Sequence, residues 1–213
     1  MRREQSPVSP SHRTLWRTTP TSSLRQRIEL LEADLKAVPP RISVYHDLPF
    51  AILRYEPTEE WELRRETRLL ATRLEAFGKE VHSIPMSGLL WLAIEETEGL
   101  EAVVELERKR GYLAAQEQVT TYLSDRDWQP LADLVAERLA PYDPAKSIVF
   151  LTRVAAMAPG LYHMSKLLDQ LQGKTQVTTI LFYPGSIEGT TGLRFMDLKD
   201  QEALDNYRVK IYG

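Results

Sequence analysis

The chain contains no cysteine among its 213 residues. Disulfides, thiolate catalysis and Cys-rich zinc sites are therefore excluded, and a reducing compartment is the natural expectation. Long hydrophobic runs are missing as well. The longest apolar stretches, such as residues 89–94, fall far short of the ~20 residues that span a bilayer. The basic N-terminal residues are not followed by an apolar segment, so no secretory signal is read and a cytoplasmic, membrane-free protein is expected. A general excess of positive charge is also absent. The formal net charge of −3 gives no overall footprint for nucleic acid and leaves only local basic patches to consider.

What is present is ordinary globular material, with 43% hydrophobic and 27% charged residues, so one real core is expected. Residues 1–23 stand apart. They are rich in Ser, Thr, Pro and Arg, and their low hydrophobicity predicts a flexible arm ahead of a single domain over 24–213. Its positive charge makes weak nucleic-acid contact the alternative to a solvated tail.

From Leu24 a helical period begins, with Leu24, Ile28, Leu31 and Leu35 on one face and Pro39-Pro40 as the stop. Short apolar runs at 50–55, 80–84, 147–152 and 177–183 have the length of strands. Between them lie a helix over about 59–77, a helical stretch over about 89–139, and a helix opened by Pro159 and stopped by Gly173. The run 207–212 reads as an edge strand. Strands alternating with helices predict an α/β fold: a mainly parallel sheet flanked by helices, with a helical insertion. The element order suggests a degenerate P-loop-like domain.

The chemical motifs of such domains are missing. The turn after the first strand reads Glu56-Pro57-Thr58-Glu59-Glu60, where a phosphate loop needs glycines and a lysine. Its carboxylates would repel a phosphate. Gly173-Lys174-Thr175 follows a helix and precedes a strand, so it reads as a helix stop. The four histidines, His12, His46, His82 and His163, form no metal-ligand spacing. No Gly-x-Ser-x-Gly elbow occurs, although a Ser-His-Asp set assembled only in space stays open.

Two features invite binding. Arg153 follows the third strand, where a nucleotidase would present an acid; it suits a helix-end anchor or a partner's carboxylate better than an anion. The run 184–194 reads as a glycine-rich loop at a strand's C-terminal end. Gly185, Gly189 and Gly192 permit close backbone approach, and Thr190, Thr191 and Arg194 could supplement their N–H groups around an anion. A tight surface loop is the competing account. Tyr183, at the end of the strand before it, and Arg208, at the start of the last run, complete the candidate binding set.

Several segments resemble the BrxB family. They are Arg41 to Glu56 (RISVYHDLPFAILRYE), Glu62 to Leu70 (ELRRETRLL), Ile148 to Ala156 (IVFLTRVAA), Lys166 to Gly173 (KLLDQLQG), Leu181 to Phe195 (LFYPGSIEGTTGLRF) and Asn206 to Tyr212 (NYRVKIY). The resemblance runs from about Leu24 to the C-terminus. It implies a component of a BREX phage-exclusion system, in which a DNA methyltransferase, a large ATPase and the phosphatase-superfamily protein PglZ act with smaller proteins. No family-wide catalytic residue carries over. The resemblance therefore implies a protein that is not an enzyme, needs no cofactor, and binds other BREX proteins, PglZ first among them. The alternative is a regulatory subunit that binds a nucleotide or nucleic acid through the 184–194 loop, Arg153 and Arg208.

Overall fold

The computed structural model describes residues 22–42, 48–188, 192–198 and 205–213. The expected arm lies outside the described residues except for Ser22 and Ser23. Ser23 belongs to the domain. Its hydroxyl accepts from the Gln26 N–H, and the Gln26 side chain accepts from the Ser23 N–H, which starts helix α1 (Leu24–Lys36). Ser22 donates to the Gly213 carbonyl at 3.1 Å, so the two ends of the domain meet.

The order continues β1 (Phe50–Tyr55), α2 (Glu60–Glu75), β2 (Glu80–Pro85), α3 (Met86–Glu95), α4 (Gly99–Arg110), α5 (Tyr112–Ser124), α6 (Leu131–Leu139), β3 (Ser147–Thr152), α7 (Met164–Leu171), β4 (Thr178–Glu188), β5 (Gly192–Phe195), β6 (Asp205–Asn206) and β7 (Lys210–Tyr212). Strands β2-β3-β4-β1-β7 lie side by side in that order, and each neighbouring pair is parallel. The expected α/β fold with a mainly parallel sheet is therefore what the chain forms, and β7 is an edge strand as read from the sequence.

Alternation along the strands divides the interior into two cores. Phe50, Ile52, Val149, Leu151, Leu181 and Tyr183 face one side, which is covered by α3, α5, α6 and α7. Ala51, Leu53, Ile148, Phe150, Ile180 and Phe182 face the other, which is covered by α1 and α2. Every residue of β1 is buried, as expected for a strand sandwiched between two helical layers. Helices α3, α5 and α6, expected as an insertion, form much of the layer on the first face.

Two expectations change. Pro159 does not open a helix: α7 begins at Met164, after His163 in extended backbone (φ −82°, ψ 126°). Gly160, directly after Pro159, is a poor helix starter. Residues 184–188 and 192–194 of the run read as a loop are strand, and residues 189–191 lie outside the described residues. Strand β4 continues to Glu188 and pairs antiparallel with β5, setting Gly185 opposite Phe195 and Ser186 opposite Arg194. Pro184 falls between two ladders. Its pairing with Tyr55 is the last with β1, and Gly185 is the first residue paired with β5, so the missing N–H interrupts neither. Tyr183 packs edge-on against Phe195 and Tyr207, with centroids 5.5 and 5.8 Å away, and this aromatic group holds the hairpin to the core.

Gly185 has a structural reason to be glycine. Its φ is +151°, and a Cβ there would stand 1.9 Å from the Arg194 carbonyl oxygen. Gly185→Ala is expected to cost about 2 kcal/mol or more by forcing β5 off β4. Urea denaturation checks this, and a midpoint equal to that of the native sequence would show that the hairpin tolerates the methyl group.

Candidate functional site

In an open α/β sheet, ligands bind outside the C-terminal strand ends, where the chain leaves neighbouring strands in opposite directions. Here that place lies between β1 and β4. The chain leaves β1 toward β2 at one edge and leaves β4 toward β7 at the other. The N-terminal ends of α1 and α2 come together there, because Arg27 in the second turn of α1 reaches Glu59, just ahead of α2.

Two arginines are buried at this point, Arg27 at 1% and Arg54 at 2% exposure. Arg27 donates from Nη2 to Glu59 Oε2 at 2.7 Å. Arg54 donates from Nη1 to Glu56 and, at 3.2 Å, to the Gly185 carbonyl, which ties the end of β1 to the start of the hairpin. Glu59 also accepts the Glu56 N–H at 2.8 Å, so the 3-10 turn Pro57–Glu59 folds back over the strand ends. Beside it the Tyr55 hydroxyl donates to Glu60 at 2.5 Å, and Glu60 accepts from Arg64 at 2.7 Å. Burial, together with this carboxylate, pushes the Tyr55 phenol well above its ordinary range, so it stays protonated. Burial first, and then the neighbouring Arg54, hold the Arg27 guanidinium below its usual range, against the pull of Glu59 and Glu56.

Chemically, the arrangement is a charge cluster in which each arginine meets a glutamate through one Nη, while the buried Nε of Arg27 and of Arg54 has no hydrogen-bond partner among the described residues. Two guanidinium groups meet two carboxylates from the same chain. An incoming anion would have to displace Glu56 and Glu59. Among the described residues, no group of three His, Asp or Glu is placed to hold a metal ion, and no described helix is long and apolar enough to cross a membrane.

The residues expected from the sequence do not form one site. Tyr183 is 1% exposed and belongs to the core, which corrects its reading as a partner-facing anchor: the hairpin covers it. Gly185 and Gly192 serve the hairpin, with Gly192 opposite Glu188. Arg194 is half-buried and pairs with Glu188 across the two strands, so its charge is met within the fold. Arg153 is exposed, in left-handed backbone (φ 55°, ψ 37°), and its carbonyl accepts the Ala156 N–H at 3.2 Å. Arg208 is exposed two residues before β7. Gly189, Thr190 and Thr191 lie outside the described residues. The acidic turn is legible in the sequence, whereas Arg27 and Arg54 are identified as its basic partners only by the fold. Two signals pointed to them: Arg54 is the one charged residue within the strand run 50–55, and Arg27 falls on the apolar stripe of α1, three positions after Leu24.

The described residues thus form a two-sided α/β domain with the ion pairs Arg27–Glu59 and Arg54–Glu56 at the C-terminal strand ends. Residues 82–211 match the family described as BREX protein BrxB, which is more than half of the chain. A BREX protein BrxB of Bacillus cereus (strain H3081.97) is 24% identical over 166 residues, 76% of this chain and 81% of that protein. No solved structure matches. The chain belongs to the BrxB family and is a BREX system component.

Breaking the cluster from one side leaves a buried charge without its partner. Glu59→Gln is expected to destabilise the fold by about 3 kcal/mol, whereas Arg27→Met with Glu59→Leu recovers most of the loss. Denaturant midpoints of the three proteins check this. Equal midpoints for Glu59→Gln and the native chain would show that Arg27 has no need of Glu59.

Proposed function

We propose that the chain is a non-catalytic adaptor of a cytoplasmic BREX system, which holds a larger component in place, with PglZ the leading candidate. The observation that carries this reading is the self-neutralised corner between β1 and β4. An enzyme of this architecture would leave that corner open to substrate, and here Glu56 and Glu59 fill it. Membership of a multi-component system adds to the case, since a domain without reaction chemistry contributes contact area and geometry. Specific interfaces bury on the order of 1,200–2,000 Å² and lean on a few Arg and aromatic anchors. Arg153 is the best placed of the expected anchors, being exposed and without an ion pair among the described residues. The second reading, a nucleotide- or nucleic-acid-binding regulatory subunit, draws on the exposed Arg153 and Arg208.

Pull-down of each BREX protein by the full chain is expected to capture PglZ. Arg153→Glu is expected to weaken capture at least tenfold and leave the circular dichroism spectrum unchanged. Calorimetry with ATP and magnesium is expected to give no heat of binding. Capture of no BREX protein would sink the adaptor reading, and micromolar ATP affinity would favour the regulatory one.

A further inference from the structure

Strand β2 closes one side of the parallel sheet, and among the described residues no strand pairs with its outer edge. This edge differs from the opposite one. Strand β7 has three residues, and its Lys210 is engaged by Asp34 at 2.6 Å. Strand β2 has six, each in register with β3 from Glu80↔Ser147 to Pro85↔Thr152. The Glu80 N–H donates to the Lys146 carbonyl on the β3 side, so by alternation Val81 and Ser83 turn their N–H and C=O groups outward, while Pro85 can offer only its carbonyl.

A groove of about 240 Å³ runs beside it, lined among others by Ser83, Ile84, Pro85, Leu92, Arg138 and Tyr142. Three consecutive strand residues line it. The rest of the lining comes from α3, from Arg138 on α6 and from Tyr142, so the groove lies between β2 and the helices that cover the first face. Its floor is apolar, from Ile84, Leu92 and the Tyr142 ring, which stacks on His82 with centroids 3.9 Å apart. The buried His82 Nε2 has no hydrogen-bond partner. At the rim, Arg138 is exposed and makes no ion pair among the described residues. Arg153 adjoins the same corner, because it follows Thr152, the register partner of Pro85. The volume is below the ~300–1,000 Å³ typical of small-molecule sites and suits one or two side chains.

We infer that the outer edge of β2 and its groove dock an extended segment of a partner protein, which adds as a strand, seats an apolar side chain against Leu92 and Tyr142, and turns a carboxylate toward Arg138. Free backbone groups select an extended chain, the apolar floor selects its inward side chain, and the two unmatched arginines select acidic character. The inference rests on the adaptor reading and adds to it the surface and the chemistry of what binds there.

Hydrogen–deuterium exchange on the full chain, alone and with the BREX protein it captures, tests this. The outward amides of Val81 and Ser83 are expected to slow at least tenfold in the complex. Arg138→Glu and Ser83→Lys, both at exposed positions, are each expected to weaken binding at least tenfold with unchanged melting temperature. A stable complex with no slowing at Val81 and Ser83, or with both folded variants binding like the native chain, overturns the inference and leaves the adaptor reading standing. Capture of no BREX protein overturns both. If sedimentation shows a dimer of the chain alone with the Val81 and Ser83 amides already protected, the occupant is a second copy and the inference fails.

Discussion

A guanidinium group buried in a protein needs a counter-charge, because its desolvation is not repaid otherwise. Two such groups, Arg27 and Arg54, lie at the C-terminal end of this sheet, and the local course of the chain follows from them. The turn Pro57–Glu59 folds back so that Glu59 meets Arg27, and Glu56 meets Arg54. Helix α2 begins directly after that turn, and α1 is fixed to it through Arg27. The Gly185 carbonyl is the remaining acceptor for Arg54, which brings the end of β4 under the same control. One charge cluster thus links α1, β1, α2 and the hairpin.

The cluster also bears on function. Helix N-termini and arginines at strand ends are the usual ingredients of an anion site. Here one Nη of each arginine is engaged, Arg27 by Glu59 and Arg54 by Glu56, and the buried Nε of each has no partner among the described residues. The positive groups are buried, and the carboxylates that meet them are the more exposed members, with Glu56 at 41% and Glu59 at 25% side-chain exposure. Solvent at this corner therefore meets glutamates in front of the arginines. A domain built this way keeps the architecture of ligand-binding α/β proteins while its corner between β1 and β4 serves cohesion.

The hairpin of β4 and β5 shows how a local signal can mislead. Pro184, Gly185, Gly189 and Gly192 within nine residues read as a loop, since proline and glycine punctuate secondary structure. The strand continues because Tyr183, Phe195 and Tyr207 gather on one face and Pro184 falls between two ladders. Gly185 is glycine for lack of space against Arg194. The aromatic contacts that decide this join residues 12 and 24 positions apart, beyond the reach of any local pattern.

The sequence by itself determined the alternation of strands and helices, the parallel character of the sheet, the helical period that opens at Leu24 and the edge position of the last strand. Each depends on periodicity or composition within a few residues, where local physics dominates. The acidic turn after β1 was equally legible, because its residues are adjacent. Only the tertiary structure decided which groups answer those acids, since Arg27 lies 32 positions from Glu59 and Arg54 reaches Gly185 across 131. It also decided that Tyr183 is interior and that Arg194 is matched by Glu188. Burial and charge pairing depend on what packing brings near a side chain, and strand order, which sets that, is not written in any single segment.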